Sequence, residues 1–209
     1  VFVTNAHCSP SWGQTDGVQQ YQPRVPITAS DSAVIFPIGH EIADTSSACG
    51  NRRCSNSDAA IYLATGNPDN WVLGRIAATI YGCFGPCSGG APLTIDSSRP
   101  HFVINATNFS IMAGDLVSKM GSKTGWTQGY VTDTCQVVRS GANLVYCQDF
   151  ANYASDLGDS GAPVILDIGL YPDSLVTLGG LHSAKAQGGK SVVSPLSGIW
   201  VDYGSLIVH

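Results

Sequence analysis

Short apolar runs, each closed by glycine or proline, set the first limit on what this chain can become. They recur at residues 1–4, 33–42, 59–64, 71–82, 115–120, 126–138, 143–148, 163–167, 175–182 and 191–200. They are rich in Val, Ile, Thr and Tyr, residues that suit a pleated, half-buried surface. No long segment combines a helical period with caps, and no apolar run is long enough to span a bilayer. The turn formers, 24 Gly and 11 Pro in 209 residues, interrupt the chain too often for long helices. The expectation is an all-β protein.

The linking segments divide it. Residues 9–32 are rich in Gln, Pro, Ser, Thr and Asp and read as a long surface loop, and residues 43–57 read as a polar loop. Pro86, Gly89, Gly90, Pro92 and Pro100 punctuate a stretch that reads as a connection between two units. Residues 1–90 are therefore predicted as a first β-barrel, 91–113 as the connection and 114–209 as a second β-barrel. Ser140-Gly141-Ala142-Asn143 reads as a hairpin turn within the second.

Charge and cysteine content narrow the setting. A net charge of −5 gives no reason to expect a nucleic acid or an anionic membrane as partner. Seven cysteines point to an oxidising, secreted setting. Three local pairs are expected: Cys49 with Cys54, Cys83 with Cys87, and Cys135 with Cys147. Cys8 is left over. Zinc is the rival use of the first two pairs, but their spacings are not those of a common finger. Neither a metal nor a cofactor is expected. The sequons Asn105-Ala106-Thr107 and Asn108-Phe109-Ser110 would accept N-glycans in a eukaryotic host.

The densest chemistry lies in Gly158-Asp159-Ser160-Gly161-Ala162-Pro163. A serine hydroxyl is a weak nucleophile until a base and an exposed tight turn activate it. Flanking glycines permit such a turn and clear the approach to Ser160. The amides of Gly158 and Ser160 could then converge on an oxyanion. Pro163 suits the exit, because it cannot continue a hydrogen-bonded ladder. A serine of this kind needs an imidazole as proton acceptor. Of five histidines, His7 stands where an apolar strand ends in small residues. The imidazole needs a buried carboxylate to hold its tautomer. Asp58 directly precedes the apolar run at 59–64 and is preferred over Asp44, whose following neighbours are polar. An acid at the mouth of a buried strand is costly unless something pairs with it.

Taken in order, Thr4-Asn5-Ala6-His7-Cys8, Asp58-Ala59-Ala60 and the Ser160 hexapeptide resemble the three signatures of the chymotrypsin-like serine proteases. Gly121-Ser122-Lys123-Thr124-Gly125-Trp126 resembles the segment that opens that family's second barrel. The resemblance implies two antiparallel six-stranded β-barrels with the active site between them. It implies an endopeptidase acting through an acyl-enzyme on protein or peptide substrates. Ser160 would attack the peptide carbonyl, His7 would shuttle the proton and Asp58 would orient His7. The amides of Gly158 and Ser160 would hold the oxyanion. A monomer is expected.

The departures from the family pattern are equally specific. Only six residues precede His7, fewer than the family carries, so the first barrel is expected to be incomplete at its N-terminus. The usual partner of Cys8 would then lie upstream. Asp159 lacks an evident counter-charge; Lys119 and Lys123 are candidates, and neither is singled out. Ala154, at the family's position for the base of the primary specificity pocket, supplies no carboxylate to select Lys or Arg, and Ser155 lies beside it. His182 and Ser183 fall on the strand that pairs with substrate backbone in the family. A histidine at His182 is shared with glutamate-specific relatives, which sets an acidic preference against a simple packing role. The competing functional reading is an inactive homologue serving as a binding or regulatory module.

Overall fold

The computed structural model describes residues 1–22, 36–65, 72–85, 93–166 and 174–205. The described strands are β1 (Phe2–Thr4), β2 (Gln19–Gln22), β3 (Phe36–Asp44), β4 (Ser47–Cys49), β5 (Arg52–Ser55), β6 (Ala60–Ala64), β7 (Arg75–Ala77) and β8 (Tyr81–Phe84). They continue with β9 (His101–Thr107), β10 (Leu116–Gly121), β11 (Gly125–Ser140), β12 (Asn143–Ala151), β13 (Pro163–Leu166), β14 (Leu175–Lys185) and β15 (Ser191–Pro195). One helix, α1 (Leu196–Tyr203), follows. The protein is mostly strand, as the punctuated apolar runs require.

Two sheets carry the strands. The smaller has four, in the order β1-β6-β3-β2, all antiparallel. In the larger, β12, β11, β10, β13, β14 and β15 pair antiparallel in sequence, and β15 pairs back to β12. That ring of six leaves none of its members as a free edge. Five further strands attach to this ring: β5 to β12, β4 to β5, β8 to β11, β9 to β14, and β7 to β9.

The alternation along these strands sets the core. Val117, Val131, Ala151, Tyr153, Val164, Leu166 and Val193 pack together, with Ile111. The opposite face of β10, β13 and β14 supplies Met120, Ile165 and Val176, which pack with Trp126 and with Ile76, Ala78 and Phe102. The smaller sheet buries less apolar mass: Ala6, Ala60 and Tyr62, with Phe2, Trp12 and Val18 partly buried against them.

Four sequence expectations change here. The stretch 9–32, read as a long surface loop, contributes β2, which pairs with β3. The stretch 43–57, read as a polar loop, contains the β4–β5 hairpin, closed by the Cys49–Cys54 disulfide. His101–Thr107 is a strand inside the stretch read as a connection. The run at 191–200 is strand only to Pro195 and then becomes α1. Proline ends the ladder, and Leu196, Ile199 and Tyr203 then fall on one helical face against Ala59, Leu181 and Val3. Burial of Ile199 on that face overrides the β-preference of the run, while Trp200 and Val201 stay exposed. Cys135–Cys147 cross-links β11 and β12. Cys83 is disulfide-bonded; Cys87 lies outside the described residues, and Cys8 is free and exposed.

Candidate active site

Asn5 turns the end of β1 into a single 3-10 turn, Ala6–Cys8. Asn5 is fully buried, and its Nδ2 donates to the Asp58 carbonyl at 2.7 Å. This ties the histidine turn to the residue pair ahead of β6. The His7 amide donates to Asp58 Oδ1 at 3.0 Å, and His7 Nδ1 lies 2.5 Å from Asp58 Oδ2. On the other side of the ring, His7 Nε2 lies 2.9 Å from Ser160 Oγ. With Nδ1 donating to the carboxylate, Nε2 is left as the acceptor that faces the serine. The Ser160 hydroxyl has a second acceptor, the Ser183 carbonyl at 3.1 Å.

Burial of the His7 ring pulls its pKa down, but the hydrogen bond and charge of Asp58 outweigh this, and the ring ends above its ordinary 6.5. Asp58 is only 2% exposed. Its Oδ2 also accepts from Ser183 Oγ at 2.5 Å, so the carboxylate has three donors: the His7 amide, the His7 ring and the Ser183 hydroxyl. Asp44, the rival orienter, accepts from the Gly13 amide instead.

The serine turn depends on its glycines. Gly158 has φ +107° and Gly161 φ +84°, the region that L side chains avoid. A Cβ at Gly161 would also collide with Thr4 Oγ1, so the turn packs directly on the end of β1. Ser122 Oγ holds the Gly158 carbonyl at 2.5 Å. Among the described residues, the amides of Gly158 and Ser160 donate to no protein acceptor.

Asp159 finds its counter-charge in Lys119, at 2.9 Å, with both side chains completely buried. Its carboxylate also accepts from Thr124 Oγ1 and from the amides of Lys123, Thr124 and Asp156. Burial alone would raise the Asp159 pKa; Thr124 and Lys119 reverse that and bring it to about 2. Burial pulls the Lys119 pKa down, partly offset by Asp159. Of the two lysines considered from sequence, only Lys119 supplies its ammonium; Lys123 contributes its backbone amide.

No family model matches the chain, and no curated protein matches it. Solved structures do. A glutamic-acid-specific serine protease, described as using a histidine triad in substrate binding, superposes with a TM-score of 0.54 at 19% identity, over 97% of this chain and 83% of its own. Cellulomonas bogoriensis chymotrypsin matches at 0.55 and 19% identity, over 99% and 85%. Thermobifida fusca protease A matches at 0.57 and 17% identity, over 99% and 84%. The chain has the chymotrypsin-like protease fold.

Of the residues expected around a specificity pocket in this chymotrypsin-like fold, His182 and Ser183 lie beside the Ser160 turn: the Gly161 amide donates to the His182 carbonyl at 2.9 Å and Ser160 Oγ to the Ser183 carbonyl at 3.1 Å. The Ala154 carbonyl accepts from Thr127 Oγ1 at 2.7 Å. Ser155 Oγ pairs with Ser191 Oγ at 2.7 Å. His182 is 2% exposed, and its Nδ1 meets the buried Tyr153 hydroxyl at 3.1 Å. Burial first, then the charge of Lys119, lowers the His182 pKa to about 4, so the ring is neutral at pH 7. A cavity of about 210 Å³ is lined by His7, Trp12, Asp58, Val145, Ser183 and Ala184 among others.

Sequence reasoning missed several contributors. Ser191 was read only as part of a strand. Ser183 was read as a substrate contact and also holds Asp58. Thr124, in the stretch Gly121–Trp126, bonds Asp159, a role that only a partner 35 residues away reveals. No local signal marks any of them.

Proposed function

We propose that the protein is a serine endopeptidase that cleaves peptide bonds through Ser160, His7 and Asp58. The observation that carries this reading is the relay His7 Nε2 to Ser160 Oγ at 2.9 Å and His7 Nδ1 to Asp58 Oδ2 at 2.5 Å. Ser160 Oγ attacks the scissile carbonyl and passes its proton to His7 Nε2. Asp58 stabilises the resulting imidazolium without accepting the proton. The oxyanion is held by the amides of Gly158 and Ser160. The tetrahedral intermediate collapses as His7 protonates the leaving amine, giving an acyl-Ser160 ester. Water, deprotonated by the same imidazole, then hydrolyses the ester and restores Ser160.

The reading assigns His7 and Asp58 to the segment 1–90, and Ser160 with its pocket to 114–209. None of Ala154, Ser155, Ser191 and the neutral His182 supplies a carboxylate, so Lys and Arg are not favoured at the scissile position. The neutral imidazole of His182 offers a hydrogen bond that an acidic side chain can use, whereas Ser191 Oγ already donates to the Tyr153 carbonyl and pairs with Ser155 Oγ. The protein is proposed to act outside the cell as a monomer on protein or peptide substrates, a setting consistent with its disulfides. Asn105 is exposed and Asn108 half-buried, and both remain proposed glycan sites.

The test is covalent labelling by a fluorophosphonate probe. Wild-type protein is expected to label at Ser160, and Ser160→Ala to lose both the label and about 10⁴-fold or more of peptide hydrolysis. Intact, folded protein that does not label would favour the inactive-homologue reading. A panel of Glu, Phe and Arg peptides resolves the pocket: Arg is expected to be poorest, and no cleavage after Glu would remove the role given to His182.

A further inference from the structure

The segment that carries Asp58 makes few bonds to its own neighbours in sequence. Residues 56–59 connect β5 to β6; Asn5 holds the Asp58 carbonyl, and their other bonded backbone groups are held by residues between 148 and 203. The Asp202 carboxylate on α1 accepts from the Asn56 amide (3.1 Å at Oδ1, 3.0 Å at Oδ2), Asn56 Nδ2 (2.8 Å), the Ser57 amide (2.7 Å) and Ser57 Oγ (2.7 Å). One turn position later on α1, the Tyr203 hydroxyl donates to the Ala59 carbonyl and accepts from the Thr45 amide. The Asp58 amide itself donates to Ser194 Oγ at 2.9 Å, and Ser194 donates to Gln148 Oε1 at 2.5 Å. Gln148 Nε2 closes the circuit on the Asn56 carbonyl at 3.1 Å. A side chain at Gly198 would collide with that same carbonyl, so α1 approaches the segment as closely as a helix can.

We infer that α1 is a positioning device for the triad carboxylate, with Asp202 as its principal positioning residue and Tyr203 as its second. The inference rests on the proposed protease reading and adds a regulator of geometry to it. Asp202 touches neither the substrate region nor His7. It acts by fixing the backbone on the N-terminal side of Asp58, while Tyr203 fixes the C-terminal side. The Asp58 carboxylate must meet the His7 ring and amide and the Ser183 hydroxyl together. A displacement of about 1 Å is enough to cost on the order of 100-fold in a reaction of this kind. A carboxylate is suited to the task because it accepts all four donors, and charge-assisted bonds of this type are about twice as strong as neutral ones.

The test compares Asp202→Ala, Asp202→Glu and Tyr203→Phe with wild type, and uses Asp133→Ala as a surface control. For Asp202→Ala, kcat is expected to fall about 10- to 100-fold with KM little changed, and Asp202→Glu to recover part of the loss. Loss of the Asp58 interaction also lets the His7 pKa fall, so the acid limb of kcat moves to lower pH. Folded fraction is read by circular dichroism at the assay temperature. A folded Asp202→Ala protein with wild-type kcat and an unmoved acid limb would overturn the inference. If Asp202→Ala does not fold, Tyr203→Phe carries the same test: an unmoved kcat and acid limb would then overturn it.

A second readout needs no turnover. The proton shared by His7 Nδ1 and Asp58 gives a downfield NMR resonance, and ring carbon shifts titrate His7 directly. Lowered His7 pKa in Asp202→Ala supports positioning even in a protein that fails to label with fluorophosphonate. That outcome would sink the protease reading and leave the positioning role standing. Unchanged His7 titration in a protein that does label would do the reverse.

Discussion

The two regions that meet at the candidate active site are built on different principles. The ring of six strands around Ser160 closes on itself and packs Val117, Val131, Tyr153, Val164 and Val193 inside. The four-stranded sheet that leads to His7 and Asp58 is open and has a small apolar core of Ala6, Ala60 and Tyr62. Much of what it buries instead is polar: Asn5, Ser9, Glu41 and Asp44 are each 5% exposed or less. Closed pairing plus apolar burial lets a region stand on its own contacts. A polar scaffold holds shape only while each bond is made. The His7–Asp58 region accordingly takes outside support: Ser183 from β14, Ser194 from β15, and Asp202 and Tyr203 from α1. The Ser160 region supports itself and part of its neighbour.

The contrast can be broken most sharply at Lys119. Lys119→Met leaves the Asp159 carboxylate buried without its cation. Destabilisation of about 3–5 kcal/mol is expected by denaturant titration, with loss of peptide hydrolysis as the turn before Ser160 relaxes. The double variant Lys119→Met, Asp159→Asn should regain much of the stability. If Lys119→Met is as stable as wild type, the serine turn does not depend on this pair.

The next effect lies in the other region and has the opposite sign. Burial raises the Asp44 pKa from 3.8 to about 6, against the hydrogen bond it receives from Gly13. The folded protein therefore binds more protons at this site between pH 3.8 and 6, and its contribution to stability is lost as pH rises through that window. Asp44→Asn keeps an acceptor for Gly13 and carries no charge. It is expected to be more stable than wild type at pH 7–8, with the difference closing toward pH 4. Melting curves across that range check it, and a constant difference at all pH values would contradict the assignment.

A related check compares His182, whose pKa falls to about 4. Here the unfolded chain binds the extra proton, so stability is present above pH 6.5 and is lost as pH falls from 6.5 to 4. His182→Gln should flatten that acid-side loss. The smallest effect is expected at Lys190–Asp133, an ion pair with both side chains about two-fifths exposed. Lys190→Ala should leave kcat unchanged and shift Tm by little more than measurement error, less still in high salt.

How far the chain could be read before folding differs by feature. The β class was legible because strand periodicity and turn residues are local. His7, Asp58 and Ser160 were legible because each sits in a short stretch whose residue types are dictated by its own backbone: small residues around His7, glycines around Ser160. The hairpin at β4–β5 was hidden, because a short polar strand pair has no apolar alternation and is held by pairing to β12. The helix α1 was hidden too, because Ile199, Trp200 and Val201 favour strands, and the helix is held by packing of Leu196, Ile199 and Tyr203 against Ala59 and Leu181.

The amino-acid order alone therefore determined the class of fold, the choice of His7, Asp58 and Ser160 as candidates that the fold hydrogen-bonds together, and the disulfide partners Cys49–Cys54 and Cys135–Cys147, since each depends on residues close together in the chain. Tertiary structure decided the rest: that Lys119 rather than Lys123 balances Asp159, that Ser183 holds Asp58, and that Asp202 holds the segment before it. These partners lie 40, 125 and about 145 residues apart. A charge or hydroxyl carries no local mark of its eventual partner; only burial, by removing water as the alternative, commits it to one.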